Sequence, residues 1–220
     1  MIPKIIHQMG PDDKNKWPYI WVEGNDLIKK TFPNFEHKLW KNSDVYPFIE
    51  KHYPQYFDLV QELPTICKFD FFRCIVMYHY GGLYFDLDFL VYKNFYGVLK
   101  HDKPTVIEGI RYAVEEKVQN NFFASPPKLK VWLKVMDEVR SNFKKVSTSD
   151  TWYNKVMKIT ASIFWTKYVE KYPNDFHLLP RDPYNLTKEE CANLKEEDIP
   201  CRHLGTMIWN DDRNDTYKDD

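Results

Sequence analysis

Two aspartates separated by one residue, Asp86 and Asp88, form the pair in this chain whose spacing most directly suggests chemistry. On an extended backbone, residues i and i+2 point to the same face of a strand, so the two carboxylates would lie side by side. Such a pair repels unless a positive charge lies between its members. Carboxylates bind Mg²⁺ and Mn²⁺, which complete their shell with phosphate oxygens and water. The pair therefore predicts a divalent-metal site; the alternative is a solvated turn that carries two acids.

A second charged pair, Asp70 and Arg73, interrupts an otherwise apolar stretch. The i, i+3 spacing places both side chains on one face of a helix. Burying these charges is costly unless they are paired or meet a ligand. One interpretation is an internal ion pair that holds the helix against a sheet. The other is a pocket wall on which carboxylate oxygens and guanidinium donors bind the hydroxyls of a ligand.

The elements around these residues can be predicted from the same stretch. Residues 65–80 are apolar nearly all round, which predicts a buried helix that Gly81 ends in a left-handed conformation. Residues 83–92 are rich in aromatic and branched side chains and predict a strand. The turn at Gly81 and Gly82 would bring the charged helix face close to the two aspartates.

The remaining pattern predicts one α/β domain. Further strands are predicted at 3–8, 35–40, 105–108 and 121–124, and helices at 17–30, 45–52, 55–62, 129–143, 152–172 and, after a capping box, 187–190. Strands alternating with helices in one uninterrupted chain predict a single domain over 1–220. The acidic, polar tail from about 210 is expected to fray.

Composition narrows the classes of function. A net charge of −1 with interspersed signs argues against a nucleic-acid partner held by bulk electrostatics. No apolar run approaches the roughly 20 residues of a membrane span. The first residues do not have the pattern of a signal peptide, and no Cys-x-x-Cys occurs. We therefore expect a cytoplasmic protein with reduced cysteines.

Several motifs occur in an order that resembles a known enzyme family. They are Ile2-Pro-Lys-Ile-Ile-His-Gln8, Leu39-Trp40, Phe48-Ile-Glu-Lys-His-Tyr-Pro54, Asp70-x-x-Arg73 and Tyr80-Gly-Gly-x-Tyr-x-Asp-x-Asp88. Together they resemble the Asp-x-Asp-containing glycosyltransferases, the group of the fungal initiating mannosyltransferases and the α1,4-galactosyltransferases. The glucosylating bacterial toxins are distantly similar. The resemblance is good over residues 1 to about 92 and weak in the C-terminal third.

The resemblance implies a fold and an activity. The fold is the GT-A type, a mixed, mostly parallel sheet flanked by helices that binds a sugar nucleotide at the carboxyl ends of its strands. The activity is a metal-dependent, retaining hexosyltransferase with Mn²⁺ or Mg²⁺ as cofactor. The donor would be a UDP- or GDP-linked sugar, and the acceptor a hydroxyl on a glycan, a glycolipid or a protein.

The resemblance also implies roles for single residues. Gln8, at the end of the Ile6-His7-Gln8 strand, would contact the nucleotide. Asp70 and Arg73 would hold the donor sugar, and Tyr84 and Asp86 would contact the nucleotide sugar. The expected catalytic residues are Asp70, Arg73 and Asp86. The expected metal ligands are Asp86, Asp88 and His203, the last because residues 203–209 resemble the closing segment of the family.

Two positions depart from the family pattern. Gly10 stands where the family usually has a tryptophan near the nucleotide base, and Trp17 is a candidate substitute. Thr160-Ala161-Ser162 stands where the family usually has Thr-Gly-Pro.

Three other classes of function remain alternatives. A haloacid-dehalogenase-like phosphatase also uses Asp-x-Asp, but there the motif normally opens the fold. A glycosidase would need two acids on opposite sides of its substrate. A non-catalytic metal- or carbohydrate-binding module would bind sugar without nucleotide.

Overall fold

The computed structural model describes residues 1–110, 116–195 and 198–206. In this part of the chain the strands are β1 (Ile5–Gly10), β2 (Glu36–Lys41), β3 (Gly82–Phe85), β4 (Phe89–Val91), β5 (Thr105–Ile107), β6 (Phe122–Ser125), β7 (His177–Leu179) and β8 (Cys201–His203). The main helices are α1 (Tyr19–Thr31), α2 (Val45–His52), α3 (Phe57–Glu62), α4 (Thr65–Tyr80), α5 (Lys130–Phe143), α6 (Trp152–Ile159) and α7 (Ser162–Lys171). Single-turn helices lie at Arg181–Tyr184 and Lys188–Cys191, the second opened by the predicted capping box at Thr187.

The central sheet has the strand order β2-β1-β3-β6-β5-β7. Strand β1 pairs in parallel with β2 and β3, and β5 pairs in parallel with β7. Strand β6 runs antiparallel to both of its neighbours. The prediction of a mixed, mostly parallel α/β sheet flanked by helices is confirmed. Strands β4 and β8 form a separate antiparallel pair.

Alternating side chains of β3 show how the layers are arranged. Leu83 and Phe85 belong to one buried cluster, which also contains Phe32 of α1. Tyr84 belongs to the other cluster, which contains the apolar faces of α4, α5, α6 and α7. Because successive strand residues point to opposite faces, the sheet has a hydrophobic layer on each side.

Helix α4 is buried along most of its length, as its apolar sequence predicts, and it enters β3 through two glycines. Gly81 ends the helix with φ +64°, and Gly82 follows with φ +96°. A β-carbon at Gly81 would lie 2.6 Å from the backbone oxygen of Ser125, and one at Gly82 would lie 2.5 Å from that of Ile5. The turn therefore needs glycine both for its left-handed conformation and for the close approach of the neighbouring chain.

The predicted strand 83–92 is two strands. Between β3 and β4 the chain turns at Asp86-Leu87-Asp88, where the amide of Phe89 donates to the carbonyl of Asp86 at 3.2 Å. The prediction that the two aspartates share the face of an extended strand is therefore wrong. They lie in the turn that carries the chain from the central sheet to the β4–β8 pair.

The predicted helix 152–172 is also interrupted. Helices α6 and α7 are separated at Thr160 and Ala161, although the hydrophobic pattern continues across the break. The amides of both residues donate to the carbonyl of Val156, which closes α6. The break leaves the Thr160 hydroxyl free to face Asp70 on α4. The polar tail from about 210 lies outside the described residues.

Within the described ranges, every helix is too short or too polar to cross a bilayer.

Candidate active site

Asp86, Asp88 and His203 converge on one point. Each can offer a ligand atom, and these atoms lie within 4.8 Å of one another. The Nε2 atom of His203 is 3.2 Å from Asp88 Oδ1 and 4.0 Å from Asp86 Oδ2. The β4–β8 pairing explains the convergence, because it places His203 opposite Phe89, the residue after Asp88. The structure thus brings together the three metal ligands that the sequence predicted.

Asp88 is held in place by residues that follow β8. Thr206 donates its amide (2.9 Å) and its hydroxyl (2.8 Å) to Oδ2 of Asp88, and the other carboxylate oxygen faces His203. Burial alone would raise the pKa of Asp88, but the nearby His203 and the Thr206 hydrogen bonds bring it below its ordinary value. Asp88 therefore stays ionised in its buried position.

Asp86 presents its two oxygens to different partners. Its Oδ1 accepts from the Tyr84 hydroxyl at 2.8 Å and lies 3.1 Å from Arg73 Nη2. Its Oδ2 faces His203. Burial raises the pKa of Asp86 to about 6 against the opposing charge of Arg73, and the charge of Asp88 adds to the rise.

The donor set suits a divalent cation. Burial would lower the pKa of His203, but the carboxylates of Asp88 and Asp86 raise it above its ordinary value. Two carboxylates are thus arranged around a position that favours positive charge. The carboxylate oxygens are ligands that suit both Mn²⁺ and Mg²⁺, and the imidazole nitrogen suits a transition metal such as Mn²⁺ better than Mg²⁺. The residues present therefore fit the metal that the resemblance implies.

Asp70 and Arg73 form the second predicted pair, and both are almost completely buried. Arg73 Nη1 lies 3.2 Å from Asp70 Oδ1 and donates to the carbonyl of Asn120 at 2.8 Å. The Thr160 hydroxyl donates to Asp70 Oδ2 at 2.8 Å. Burial raises the pKa of Asp70, while Arg73 and Thr160 oppose the rise.

Arg73 joins the two predicted pairs into one network. Its guanidinium contacts both Asp70 and Asp86, and it lies over the Tyr84 ring with its Cζ 4.9 Å from the ring centroid. All four charged residues, together with His203, line one cleft at the end of β3. The ion-pair and pocket-wall interpretations of Asp70 and Arg73 are therefore compatible, because the internal pair itself faces the cleft.

Gln8 is placed differently from the other predicted site residues. It is buried beside α1, where its Oε1 accepts from Asn25 Nδ2 at 2.7 Å, and it is not among the residues that line the cleft. Its Nε2 has no hydrogen-bond partner among the described residues. A contact between Gln8 and the nucleotide remains a prediction.

Trp17 fills the space beside Gly10. A β-carbon at Gly10 would lie 3.0 Å from the Trp17 ring, so the glycine leaves room for this indole. Trp17 is buried and packs edge-on against Trp21, and it is Trp21 that lines the cleft. Base stacking on Trp17 therefore also remains a prediction.

Sequence reasoning missed three residues that hold the site. Thr206 holds Asp88, Asn120 holds Arg73, and Thr160 holds Asp70. In the sequence, Thr160 is notable only because Thr160-Ala161-Ser162 departs from the family pattern. A buried threonine before a helix start is a weak signal, and no local spacing connects any of the three with its partner.

Comparisons with known proteins agree with this picture. Residues 20–106 match the family model described as glycosyltransferase sugar-binding region containing DXD motif. The chain is 30% identical over 177 residues to mannosyl phosphorylinositol ceramide synthase CSH1 of Saccharomyces cerevisiae, covering 76% of this chain and 43% of that protein. It is 25% identical over 224 residues to inositol phosphoceramide mannosyltransferase 1 of Schizosaccharomyces pombe, covering 98% of this chain and 60% of that protein.

Among solved structures, the PaToxG glycosyltransferase superposes with a TM-score of 0.55 at 20% identity, over 78% of this chain and 70% of that one. The resemblance to the DXD-containing glycosyltransferases and the GT-A fold are thereby confirmed. The family-model match and the two fungal relatives favour a glycosyltransferase over the phosphatase, glycosidase and binding-module alternatives. The chain spans about half the length of the two fungal relatives. The expectation of a cytoplasmic protein stays a prediction.

Proposed function

We propose that this chain transfers a hexose from a UDP- or GDP-linked donor to an acceptor hydroxyl, with retention and with a divalent metal, because residues 20–106 match the DXD-containing glycosyltransferase family and the fold is of the GT-A type. The observation that carries the proposal is the convergence of Asp86, Asp88 and His203 beside the buried Asp70–Arg73 pair. The two fungal relatives are named as enzymes that mannosylate inositol phosphoceramide. Mannose and an inositol-containing lipid are therefore the first donor sugar and acceptor to test.

Asp86, Asp88 and His203 would hold the cation, which would be Mn²⁺ or Mg²⁺. When bound, it would neutralise the negative charge that develops on the leaving diphosphate as the glycosidic bond breaks. Thr206 keeps the Asp88 carboxylate ionised and oriented toward this position. The Tyr84 hydroxyl donates to Oδ1 of Asp86 and orients this carboxylate, so that Oδ2 is directed toward His203.

Asp70 and Arg73 would bind the hydroxyls of the donor sugar. Their side chains are fixed by Thr160 and Asn120, so they lose little conformational freedom when a ligand arrives. Arg73 also contacts Asp86, which links the position of the sugar to that of the diphosphate. In a retaining reaction the acceptor hydroxyl would approach the face of the sugar from which the diphosphate leaves, and a diphosphate oxygen would take the proton.

Calorimetry with UDP and GDP, with and without Mn²⁺, tests the binding part of this proposal. We expect one of the nucleotides to bind and to need the metal. The Asp88→Asn variant, which is nearly isosteric, should lose the metal-dependent part. Absence of metal-dependent nucleotide binding in the unmodified protein would refute the proposal, and sugar binding without nucleotide would indicate a binding module instead.

A screen of UDP- and GDP-linked sugars for Mn²⁺-dependent turnover tests the catalytic part. Donor hydrolysis by water reports on the donor and the metal without an acceptor. Addition of inositol phosphoceramide in detergent micelles, or of a soluble glycan, then reports on transfer. The sugar nucleotide that turns over identifies the base and the hexose together.

A further inference from the structure

A buried carboxylate and a phenol line the cleft beyond the residues assigned above. Glu116 is only 7% exposed, and its carboxylate accepts a hydrogen bond from the Tyr153 hydroxyl. Both residues line the same cleft as the metal cluster. We propose that Glu116 and Tyr153 bind the acceptor, as a hydrogen-bonding pair for a hydroxyl of a polyhydroxylated ring. This inference rests on the proposed function.

The two residues come from different elements. Glu116 precedes β6, and its neighbour Lys117 points away from the cleft to pair with Glu170 of α7 at 2.5 Å. Tyr153 lies in the first turn of α6. Burying a carboxylate is costly unless hydrogen bonds compensate, and a carboxylate can accept about four of them, of which the Tyr153 phenol supplies one. A ligand with hydroxyl donors would use that capacity.

The order of contacts along the cleft separates this pair from the donor residues. His203 contacts Asp86, Asp86 contacts Arg73, and Arg73 contacts Asp70. Asp70 in turn accepts from Thr160 at the end of α6. With the diphosphate at the metal cluster and the sugar at Asp70 and Arg73, the next part of the wall beyond the sugar is α6.

Helix α6 then leads to Tyr153. Tyr153, Val156 and Met157 line the cleft and follow the i, i+3, i+4 spacing of one helix face. Tyr153 precedes Thr160 by seven residues, which is about 10 Å along a helix axis. Because of this separation, Tyr153 is not required to hold a donor sugar that is bound at Asp70. The preceding residue, Trp152, is 38% exposed, so this end of α6 reaches solvent, from which an acceptor enters.

The lining defines the chemical class of the acceptor. Glu116 accepts hydrogen bonds, and burial together with the charge of Glu116 raises the pKa of the Tyr153 hydroxyl and keeps it protonated. The Tyr153 hydroxyl donates its proton to Glu116, and its oxygen can accept from a ligand hydroxyl. The amide side chains of Gln119 and Asn120 line the cleft nearby. Neighbouring carboxylate, phenol and amide groups suit adjacent hydroxyls on a ring, as in a cyclitol or a sugar.

The experiment compares Glu116→Gln and Tyr153→Phe with a control, Glu170→Gln, which neutralises a carboxylate outside the cleft. Three quantities are measured for each: Mn²⁺-dependent nucleotide binding, hydrolysis of the donor by water, and transfer to an acceptor. The acceptors are myo-inositol, methyl α-mannoside and inositol phosphoceramide in micelles, which separate a free cyclitol, a sugar and a lipid-borne ring.

We expect Glu116→Gln to raise the acceptor KM about tenfold or more, as for a lost hydrogen bond to a charged group, and Tyr153→Phe to raise it severalfold. Nucleotide binding and donor hydrolysis should stay within about twofold of the unmodified protein, as should all three quantities in Glu170→Gln. Should Glu116→Gln not fold, Tyr153→Phe alone decides.

Two results would overturn the inference. Equal losses of donor hydrolysis and of transfer would place the pair in the donor site. Unchanged transfer in both variants would make the pair a structural contact. Failure of the proposed function is distinct from both, because it would show in the unmodified protein as absent nucleotide binding and absent donor hydrolysis.

Discussion

His7 should make the stability of this protein fall in mild acid. Its side chain is completely buried between two partners in the middle of the sheet. Trp40 Nε1 donates to Nδ1 at 3.1 Å, so Nε2 carries the proton and donates to the Gly81 carbonyl at 2.9 Å. A second proton on Nδ1 would face the Trp40 N–H. Burial accordingly lowers the pKa of His7 from 6.5 to about 4.

The sign and size of the effect follow from this shift. The unfolded chain takes up the proton near pH 6.5, and the folded protein takes it up only near pH 4. The contribution of His7 is therefore complete above pH 6.5, decreases as the pH falls through this window and levels off below pH 4. The total loss is about 3 kcal/mol, of which about 2 kcal/mol is already lost at pH 5.

Urea unfolding at pH 7 and pH 5 measures this loss. The His7→Gln variant keeps one acceptor and one donor but cannot titrate. Asp70 and Asp86 also titrate abnormally, but they contribute equally to both proteins and cancel in the comparison. We expect the unmodified protein to lose about 2 kcal/mol more than the variant between the two pH values. Equal losses, or an NMR titration that places the His7 pKa near 6.5, would refute the reasoning.

Three further predictions concern two residues that hold the site and the glycine turn that leads from α4 into β3. Thr206→Val removes the hydroxyl that donates to Asp88. Calorimetry should show Mn²⁺ binding that is about tenfold weaker, with little change in thermal stability. Unchanged affinity would contradict the role of this hydrogen bond. Thr160→Val removes the hydroxyl that donates to Asp70. It should lower the kcat/KM for the donor while Mn²⁺ binding is retained. A loss of metal binding would show that the Asp70–Arg73 pair and the metal cluster are not separable. Gly81→Ala places a β-carbon 2.6 Å from backbone atoms, at a position with φ +64°. Urea unfolding should show a free energy of unfolding that is lower by about 2 kcal/mol or more. A stability equal to that of the unmodified protein would mean that the turn can relax.

The sequence alone was sufficient for the parts of the site that depend on local spacing. The i, i+3 spacing of Asp70 and Arg73, within an apolar run that ends at two glycines, predicts a buried helix with a charged face, and that helix is present. The Asp-x-Asp pair at 86 and 88, together with His203, which the family resemblance adds, predicts a set of metal ligands, and the structure brings these three residues together. Helix and strand periods are short-range properties, so they can be read from neighbouring residues.

Tertiary structure decided which groups hold these residues. The turn at Asp86-Leu87-Asp88 exists because β3 and β4 belong to different sheets, and a strand-like sequence does not record that change of partner. Thr206 reaches Asp88, and Thr160 reaches Asp70, only through pairings between distant parts of the chain. Such contacts depend on strand order and on where helices end. The sequence therefore predicted which residues form the candidate site, and the fold determined how they are oriented and what lies beside them.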